Sequence, residues 1–207
     1  KRGFLFLLFA LRSVGIALTY KYDILFATTT PLTAGIPGIF ARWVRRKTFV
    51  FEVRDLWPEL PKAMGVITNP MILSLMSFLE YISYKSAHRL IGLSPGICDG
   101  IASKNISNEK IIEISNGCDF ELFSNESKPC RPSEVKDSDL MLIYSGTHGI
   151  ANGLDSVLNA VKILNERGIS GYQILLIGDG REKQSLMNTA KRQSLGSHIV
   201  FMNSISK

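Results

Sequence analysis

Arg54-Asp55-Leu56-Trp57-Pro58-Glu59 gathers two carboxylates, a guanidinium and an indole in one short stretch. A carboxylate here could take a proton from a hydroxyl or return one, and Arg54 could hold an anion. The alternative is an Arg54–Asp55 pair that braces a loop around a buried Trp57. A second stretch, Ser145 to Gly153, reads SGTHGIANG. Glycines let the backbone approach a ligand closely, and a helix start just beyond them offers free N–H groups to an anion such as phosphate. The alternative is a tight turn capped by Asn152. Gly178-Asp179-Gly180 forms a third such turn, where glycines accommodate positive φ and Asp179 can bond the local backbone. His148 draws interest only from the glycine loop it occupies. His88 follows an apolar helix and reads as structural.

These residues sit where strands should end. Asp23 to Ala27 is a short apolar run that opens into Thr28-Thr29-Thr30-Pro31, and Thr48 to Val53 runs directly into Arg54. Both have the character of buried parallel strands. Between them, Leu32 to Val44 is expected to be helical despite Pro37, with Arg45, Arg46 and Lys47 at its C-terminus, where cations suit the helix dipole. Asn69-Pro70 and Ser94-Pro95 are helix starts, a cap followed by proline at the first helical position. Ile72, Leu75, Met76, Leu79 and Ile82 then form one apolar stripe at helical spacing. Arg89 to Leu93 and Lys110 to Ile114 complete a first strand series.

Lys128 to Asp139 is polar, contains Pro129 and Pro132, and reads as a linker. A fresh series follows, with strands at Leu140 to Tyr144, Tyr172 to Ile177 and Ile199 to Met202. Helices are expected from Leu154 to a C′ residue at Gly168, and from Arg181 to Leu195. Strands alternating with helices on both sides of the linker imply two parallel-sheet α/β units. In such sheets ligands bind beyond the carboxyl ends of the strands, where the three chemical stretches fall.

The net charge is +6, and all of the excess lies in residues 1–68, which hold ten basic and four acidic side chains. No reading helix or groove-entering motif accompanies it, so nucleic acid is excluded in favour of a membrane surface or a phosphorylated substrate. Cys98, Cys118 and Cys130 form no CxxC pair, which argues against a disulfide framework or structural zinc. Gly3 to Leu18 is apolar but short, and Arg12 interrupts it. A buried or membrane-surface helix is therefore favoured over a spanning one, which needs about 20 apolar residues. The chain opens on Lys1 without a methionine and reads as starting inside a longer protein.

Taken in order, DILFATTTPLTAGIPG, FVFEVRDLWPEL, HRLIGLSPGICDGI, IIEISNGCDFELF, LMLIYSGTHGIANGLDSVLNAV and ILLIGDGREKQSL resemble the family 4 glycosyltransferases. These are retaining enzymes of the two-Rossmann-domain GT-B fold. The RDLWPE segment resembles the branch that builds bacterial surface polysaccharides such as O-antigen and capsule, using nucleotide-linked N-acetylated sugars. The resemblance implies an acceptor-side domain over residues 1–127, the linker at 128–139 and a donor-side domain over 140–207, both domains incomplete at the chain ends. It carries Asp55, and more weakly Glu59, onto the catalytic centre. Gly146, Thr147, His148, Gly149, Asn152 and Gly153 fall on the donor diphosphate loop, and Gly178, Asp179, Gly180 and Arg181 on the neighbouring nucleotide-side loop. Thr29, Arg42, Arg45, Arg46, Lys47 and Arg54 fall on the acceptor or membrane side.

Two departures stand out. Many members of the family have Arg and Lys in the diphosphate loop where this chain has Thr147 and Asn152, which leaves the diphosphate to backbone N–H groups and Arg181. The family's first strand and its C-terminal glutamate pair have no counterpart in the sequence. The implied reaction is front-face departure of a nucleoside diphosphate with no metal ion. The implied partners are a nucleotide sugar and a lipid-linked or saccharide acceptor, met on the cytoplasmic side with peripheral contact to the inner membrane. A nucleotide-sugar 2-epimerase of the same fold and a non-catalytic nucleotide- or lipid-binding module are the alternatives.

Overall fold

A computed structural model of the chain describes residues 2–121, 131–133 and 135–205. The chain divides into two units, Lys1–Phe120 and Glu121–Lys207.

The first unit holds four parallel strands, β1 (Ile24–Thr28), β2 (Thr48–Val53), β3 (Arg89–Gly92) and β4 (Ile111–Glu113), in the order β1-β2-β3-β4. Its helices are α1 (Arg2–Thr19), α2 (Gly35–Trp43), α3 (Glu59–Ala63), α4 (Pro70–Ser86) and α5 (Pro95–Ala102). Strand β2 alternates, and Phe49, Phe51 and Val53 are wholly buried in a core with Tyr84, Leu90 and Ile101. Each such side chain stabilises the unit by about 1.5–3 kcal/mol. Helix α2 can lie close to this core because of its glycines. A Cβ on Gly38 would stand 2.1 Å from the Phe49 ring, and one on Gly35 would stand 2.3 Å from the Ser83 hydroxyl.

The helix expected from Leu32 to Val44 is instead a 3-10 turn (Leu32–Ala34) followed by α2. Pro37 explains the shift. It has no N–H for an α-helical bond back to Thr33, whereas in the first turn of a helix starting at Gly35 no such bond is required. The two cap-and-proline starts form as read: Asn69 Oδ1 accepts the N–H groups of Met71 (2.9 Å) and Ile72 (3.3 Å), and Ser94 Oγ accepts that of Ile97 (3.4 Å). The apolar stripe of α4 exists but does not seal the core. The buried residues of that helix are Glu80, Ser83, Tyr84 and Ser86.

Helix α1 lies along α2, with Ala10 and Ala17 as its buried residues. Among the described residues no helix is long and apolar enough to cross a membrane.

The second unit holds β5 (Leu140–Ser145), β6 (Tyr172–Ile177) and β7 (Ile199–Met202), parallel and in that order. Helices α6 (Asp155–Glu166) and α7 (Lys183–Arg192) cover one core, built on Leu158, Val161, Leu176, Leu186 and Leu195. Gly168 closes α6 at φ +69°, with its N–H bonded to Asn165 and that of Ile169 to Leu164, both at 3.0 Å. This is the C-terminal lock that a glycine at that position allows. Asn152 does not cap α6. It ends a 3-10 turn (Ile150–Asn152), and α6 begins after Leu154 with no side-chain cap. Helix α7 is shorter than the expected span from Arg181 to Leu195.

Of the segment read as a linker, residues 128–130 and 134 lie outside the described residues, as does Cys130. Within it Val135 is buried, and the Lys136 N–H bonds Gln173 Oε1 at 2.7 Å. Cys98 and Cys118 are free thiols.

Candidate functional site

At the carboxyl end of the first sheet, three consecutive threonines join β1 to β2. Thr28 Oγ1 donates to Glu52, Thr29 Oγ1 accepts the Arg54 N–H at 2.8 Å, and Thr30 Oγ1 donates to Asp55 Oδ2 at 2.9 Å. Thr29 is buried, with its hydroxyl occupied by the backbone, and Thr30 is its exposed neighbour. Asp55 is thus held by a threonine and not by an ion pair with Arg54, whose side chain is exposed. The Trp57 indole N–H is buried with no hydrogen-bond partner among the described residues.

Glu59 opens α3 and points elsewhere. Its carboxylate pairs with Lys104, whose ammonium also lies 3.2 Å from Glu80 Oε2. Glu80 is fully buried, and its other oxygen accepts the Tyr84 hydroxyl at 3.0 Å. Burial and then the nearby Glu59 charge push the Glu80 carboxyl above the usual range, against the pull of Lys104 and Tyr84. Burial alone would lower Lys104, but its bonds and charges with Glu59 and Glu80 outweigh it, and the amine is held above its ordinary value. Leu56, in the loop just before α3, packs against α5, where a Cβ on Gly100 would lie 2.4 Å from it. Glu59 and Leu56 therefore fasten the segment carrying Asp55 to α5 and the residues just after it.

The basic cluster is not brought to Asp55. Arg42 lies in the last turn of α2, and Arg45, Arg46 and Lys47 lead directly into β2, so they lie at its amino end. Asp55 lies beyond its carboxyl end, and six residues of strand span about 20 Å. Arg45 bonds the Tyr20 carbonyl and sits over the Tyr22 ring, and Lys47 reaches Asp23 at 4.0 Å. Both brace the turn between α1 and β1. His88 is structural as read: its Nδ1 accepts the Phe49 N–H at 3.1 Å.

In the second unit the two glycine loops are joined backbone to backbone. The Gly146 N–H bonds Ile177 O (2.9 Å), the His148 N–H bonds Asp179 O (2.9 Å), and the Glu182 N–H bonds His148 O (3.0 Å). Asp179 Oδ1 accepts the Gly180 N–H at 2.7 Å, the local bond read from the sequence. Gly178 and Gly180 have φ of +145° and +159°. A Cβ on Gly178 would lie 1.9 Å from Gly146 O, and one on Gly180 would lie 2.3 Å from His148 O. Close approach of backbone to backbone requires glycine at both positions.

His148 forms the floor beneath this junction. It is wholly buried, its ring centroid 6.1 Å from Tyr144 and 6.3 Å from Phe201, and neither ring nitrogen has a hydrogen-bond partner among the described residues. Burial and then the Lys183 charge lower its pKa, with Asp179 opposing. The Thr147 carbonyl accepts the Tyr144 hydroxyl at 3.0 Å and the Asn152 amide, which folds the loop back on itself. Gly153 turns the chain into α6 at φ +57°.

The joined loops border two cavities. One of about 220 Å³ is lined by Ser145, Gly146, Thr147, Gly178, Asp179 and Ser204. The other, about 340 Å³, is lined by Asp179, Gly180, Lys183, Gln184, Phe201 and Asn203. Lys183 was missed in the sequence. Its ammonium donates to Gly178 O (2.9 Å), Met202 O (3.0 Å) and Asn203 Oδ1 (2.8 Å), which fixes a positive charge behind the glycine turn. A lysine in the first turn of a helix opposes the helix dipole, and that local misfit was the available signal. Arg181 is exposed on the same loop. A fixed cation, a helix start and a bent glycine backbone together can receive an anion of phosphate size.

No family model matches the chain. No curated protein matches it either. Solved structures do. Anabaena HepE in complex with UDP is 16% identical with a TM-score of 0.67, over 95% of this chain and 52% of that one. The lipopolysaccharide outer core galactosyltransferase WaaB is 15% identical with a TM-score of 0.61, over 94% and 47%. A UDP-N-acetylglucosamine 2-epimerase is 11% identical with a TM-score of 0.55, over 95% and 49%. The fold is that of the GT-B glycosyltransferases. The chain spans about half the length of the GT-B and epimerase structures it matches, and both of its units are parallel-sheet α/β folds of that type.

Proposed function

We propose that the chain is part of a retaining glycosyltransferase of the family 4 type. It would move a sugar from a nucleotide-diphosphate sugar, a UDP-N-acetylated sugar, to a lipid-linked or saccharide acceptor in the assembly of a surface polysaccharide such as O-antigen or capsule. The observation that carries this reading is the pair of joined glycine loops with Lys183 fixed behind them, a cradle for the diphosphate of the donor. The likeness to a structure that holds UDP supports it.

In this reading the loop backbone and Lys183 stabilise the negative charge that grows on the departing diphosphate, in place of the Arg and Lys that Thr147 and Asn152 replace. Arg181, exposed on the same loop, adds its charge from the solvent side. Asp55, oriented by Thr30, is the polar group at the reaction centre and stabilises the developing positive charge on the sugar. Glu59 serves Asp55 indirectly, through Lys104. The transfer uses no metal ion. The basic excess of the first 68 residues favours work at the cytoplasmic face of the inner membrane, where anionic lipid attracts it.

Two measurements test the reading. The 207-residue chain should bind UDP in a calorimeter, and Lys183→Met should weaken that binding by about tenfold through loss of a nearby positive charge, since its three N–H donors are already given to Gly178, Met202 and Asn203. In the parent-length protein, Asp55→Ala should abolish sugar transfer and leave UDP binding within a few-fold. Unchanged turnover would remove Asp55 from the chemistry. The likeness to an epimerase favours one second reading. A parent protein that inverts C2 of a UDP-N-acetyl sugar with no acceptor present would establish it, and one that binds UDP-sugar but turns over nothing would be a binding module.

A further inference from the structure

Helix α4 presents a face that the core does not use. Met71, Leu75 and Phe78 recur along one side of it at 81%, 69% and 60% exposure, and none of its buried residues precedes Glu80. The same side continues through Tyr81, which is 43% exposed and lies under the Lys85 ammonium at 5.5 Å. At the far end the Trp43 indole donates to Ser86 Oγ at 2.8 Å, bringing the C-terminal end of α2 alongside. Trp43 and Val44 are 67% and 63% exposed there, flanked by Arg42 and the exposed Arg46. Seventeen residues of helix give this surface a length of about 25 Å.

Charge selects the occupant. Helices α1 and α2 contain no carboxylate, and the one carboxylate of α4, Glu80, is wholly buried. A protein partner would be met by an apolar core inside a polar rim, with no reason for that rim to be cationic alone. Among the described residues of these helices, apolar and aromatic side chains stand beside Arg42, Arg46 and Lys85 with no exposed carboxylate, a surface suited to the headgroup region of an anionic bilayer.

We propose that the outward face of α4, with the C-terminal end of α2, seats the protein on an anionic phospholipid membrane. Leu75, Phe78 and Trp43 enter the acyl boundary while Arg42, Arg46 and Lys85 meet the phosphates. The inference rests on the lipid-linked-acceptor reading for its purpose, since an acceptor held in a bilayer must be reached from the bilayer surface. It does not rest on that reading for its test.

The test uses the 207-residue chain and vesicles, with no donor or acceptor present, so failure of sugar transfer and failure of docking are read separately. Sedimentation with vesicles of phosphatidylcholine and phosphatidylglycerol should show binding that weakens with salt, and vesicles of phosphatidylcholine alone should bind less. Leu75→Gln/Phe78→Gln should weaken binding at least about tenfold with an unchanged melting temperature, as loss of inserted apolar area requires. Arg42→Gln/Arg46→Gln should reduce the salt dependence. Leu75→Trp, which cannot act by unfolding, should tighten binding and shift the indole emission to the blue. Wild-type binding by the Leu75→Gln/Phe78→Gln protein would overturn the proposal. So would a wild-type chain that ignores vesicles but self-associates through this face, seen as dissociation of the same variant in analytical ultracentrifugation.

Discussion

The two sheets end in loops made by opposite means. In the first unit the strand ends are joined by side chains, one threonine to each of three successive partners, and the carboxylate of Asp55 stands at the end of that series. In the second unit the loops are joined by backbone, and the side chains are displaced by glycine so that carbonyl and N–H can meet. The difference follows from what each end has to offer. A side-chain junction leaves a charged group oriented and within reach of solvent. A backbone junction leaves a rigid concave surface of peptide groups, with charge supplied from behind by Lys183. The first suits a group that acts on a reacting centre, the second a group that holds an anion.

The comparison can be broken at the glycine end with the largest effect. Gly178→Ala places a Cβ 1.9 Å from a backbone oxygen at a positive φ, where no rotamer relieves the clash. It should cost at least about 3 kcal/mol of the second unit's stability and abolish UDP binding, read by thermal melting and calorimetry. In the first unit, Lys104→Met leaves the buried Glu80 without its cation. A loss of about 2–3 kcal/mol is expected by urea denaturation, somewhat below that of a fully buried pair because the Lys104 side chain is itself partly exposed. Glu80→Gln in the same background should recover part of it.

A smaller effect concerns His148. Its folded pKa is lowered from the ordinary value of 6.5, so below that value the unfolded chain takes up a proton that the folded chain refuses. The stability this group confers is present above 6.5 and is lost as the pH falls from there through the folded pKa. His148→Phe should flatten that acid limb in melting curves recorded across pH, whereas a limb unchanged by the variant would assign it to other groups. The smallest effect sharpens the side-chain end. If the proposed transfer holds, Thr30→Val, which removes the hydroxyl that orients Asp55, should lower turnover of the parent-length protein about fivefold, the worth of one hydrogen bond, with Thr30→Ser restoring it and the Michaelis constant for the donor unchanged.

Much of this was legible before folding, because it is local. The alternation of strands and helices, the caps at Asn69 and Ser94 and the Schellman closure at Gly168 each depend on residues within one or two turns of chain. The same holds for the bond from Asp179 to its neighbour. The helix expected from Leu32 failed at Pro37 for an equally local reason, a missing N–H, that weighs differently in the first turn and in a helix interior. His148 was drawn to notice by its loop, but its burial under Tyr144 and Phe201 was not visible, since Phe201 is far away in sequence.

Residue types and spacing by themselves determined that the chain forms parallel α/β units with polar loops at their strand ends, and which loops those are. Only the tertiary structure decided what each loop residue does. It gave Glu59 to Lys104, Asp55 to Thr30 and Lys183 to the glycine turn, and it carried the basic cluster to the end of the sheet away from Asp55. It also left Met71, Leu75 and Phe78 of α4 facing solvent, while Met76, Leu79 and Ile82 of the apolar stripe are half-buried. The reason is range: a cap or a turn is settled by neighbours a few bonds away, whereas the partner of a charge, and the face of a helix left uncovered, depend on which distant segments the fold brings alongside.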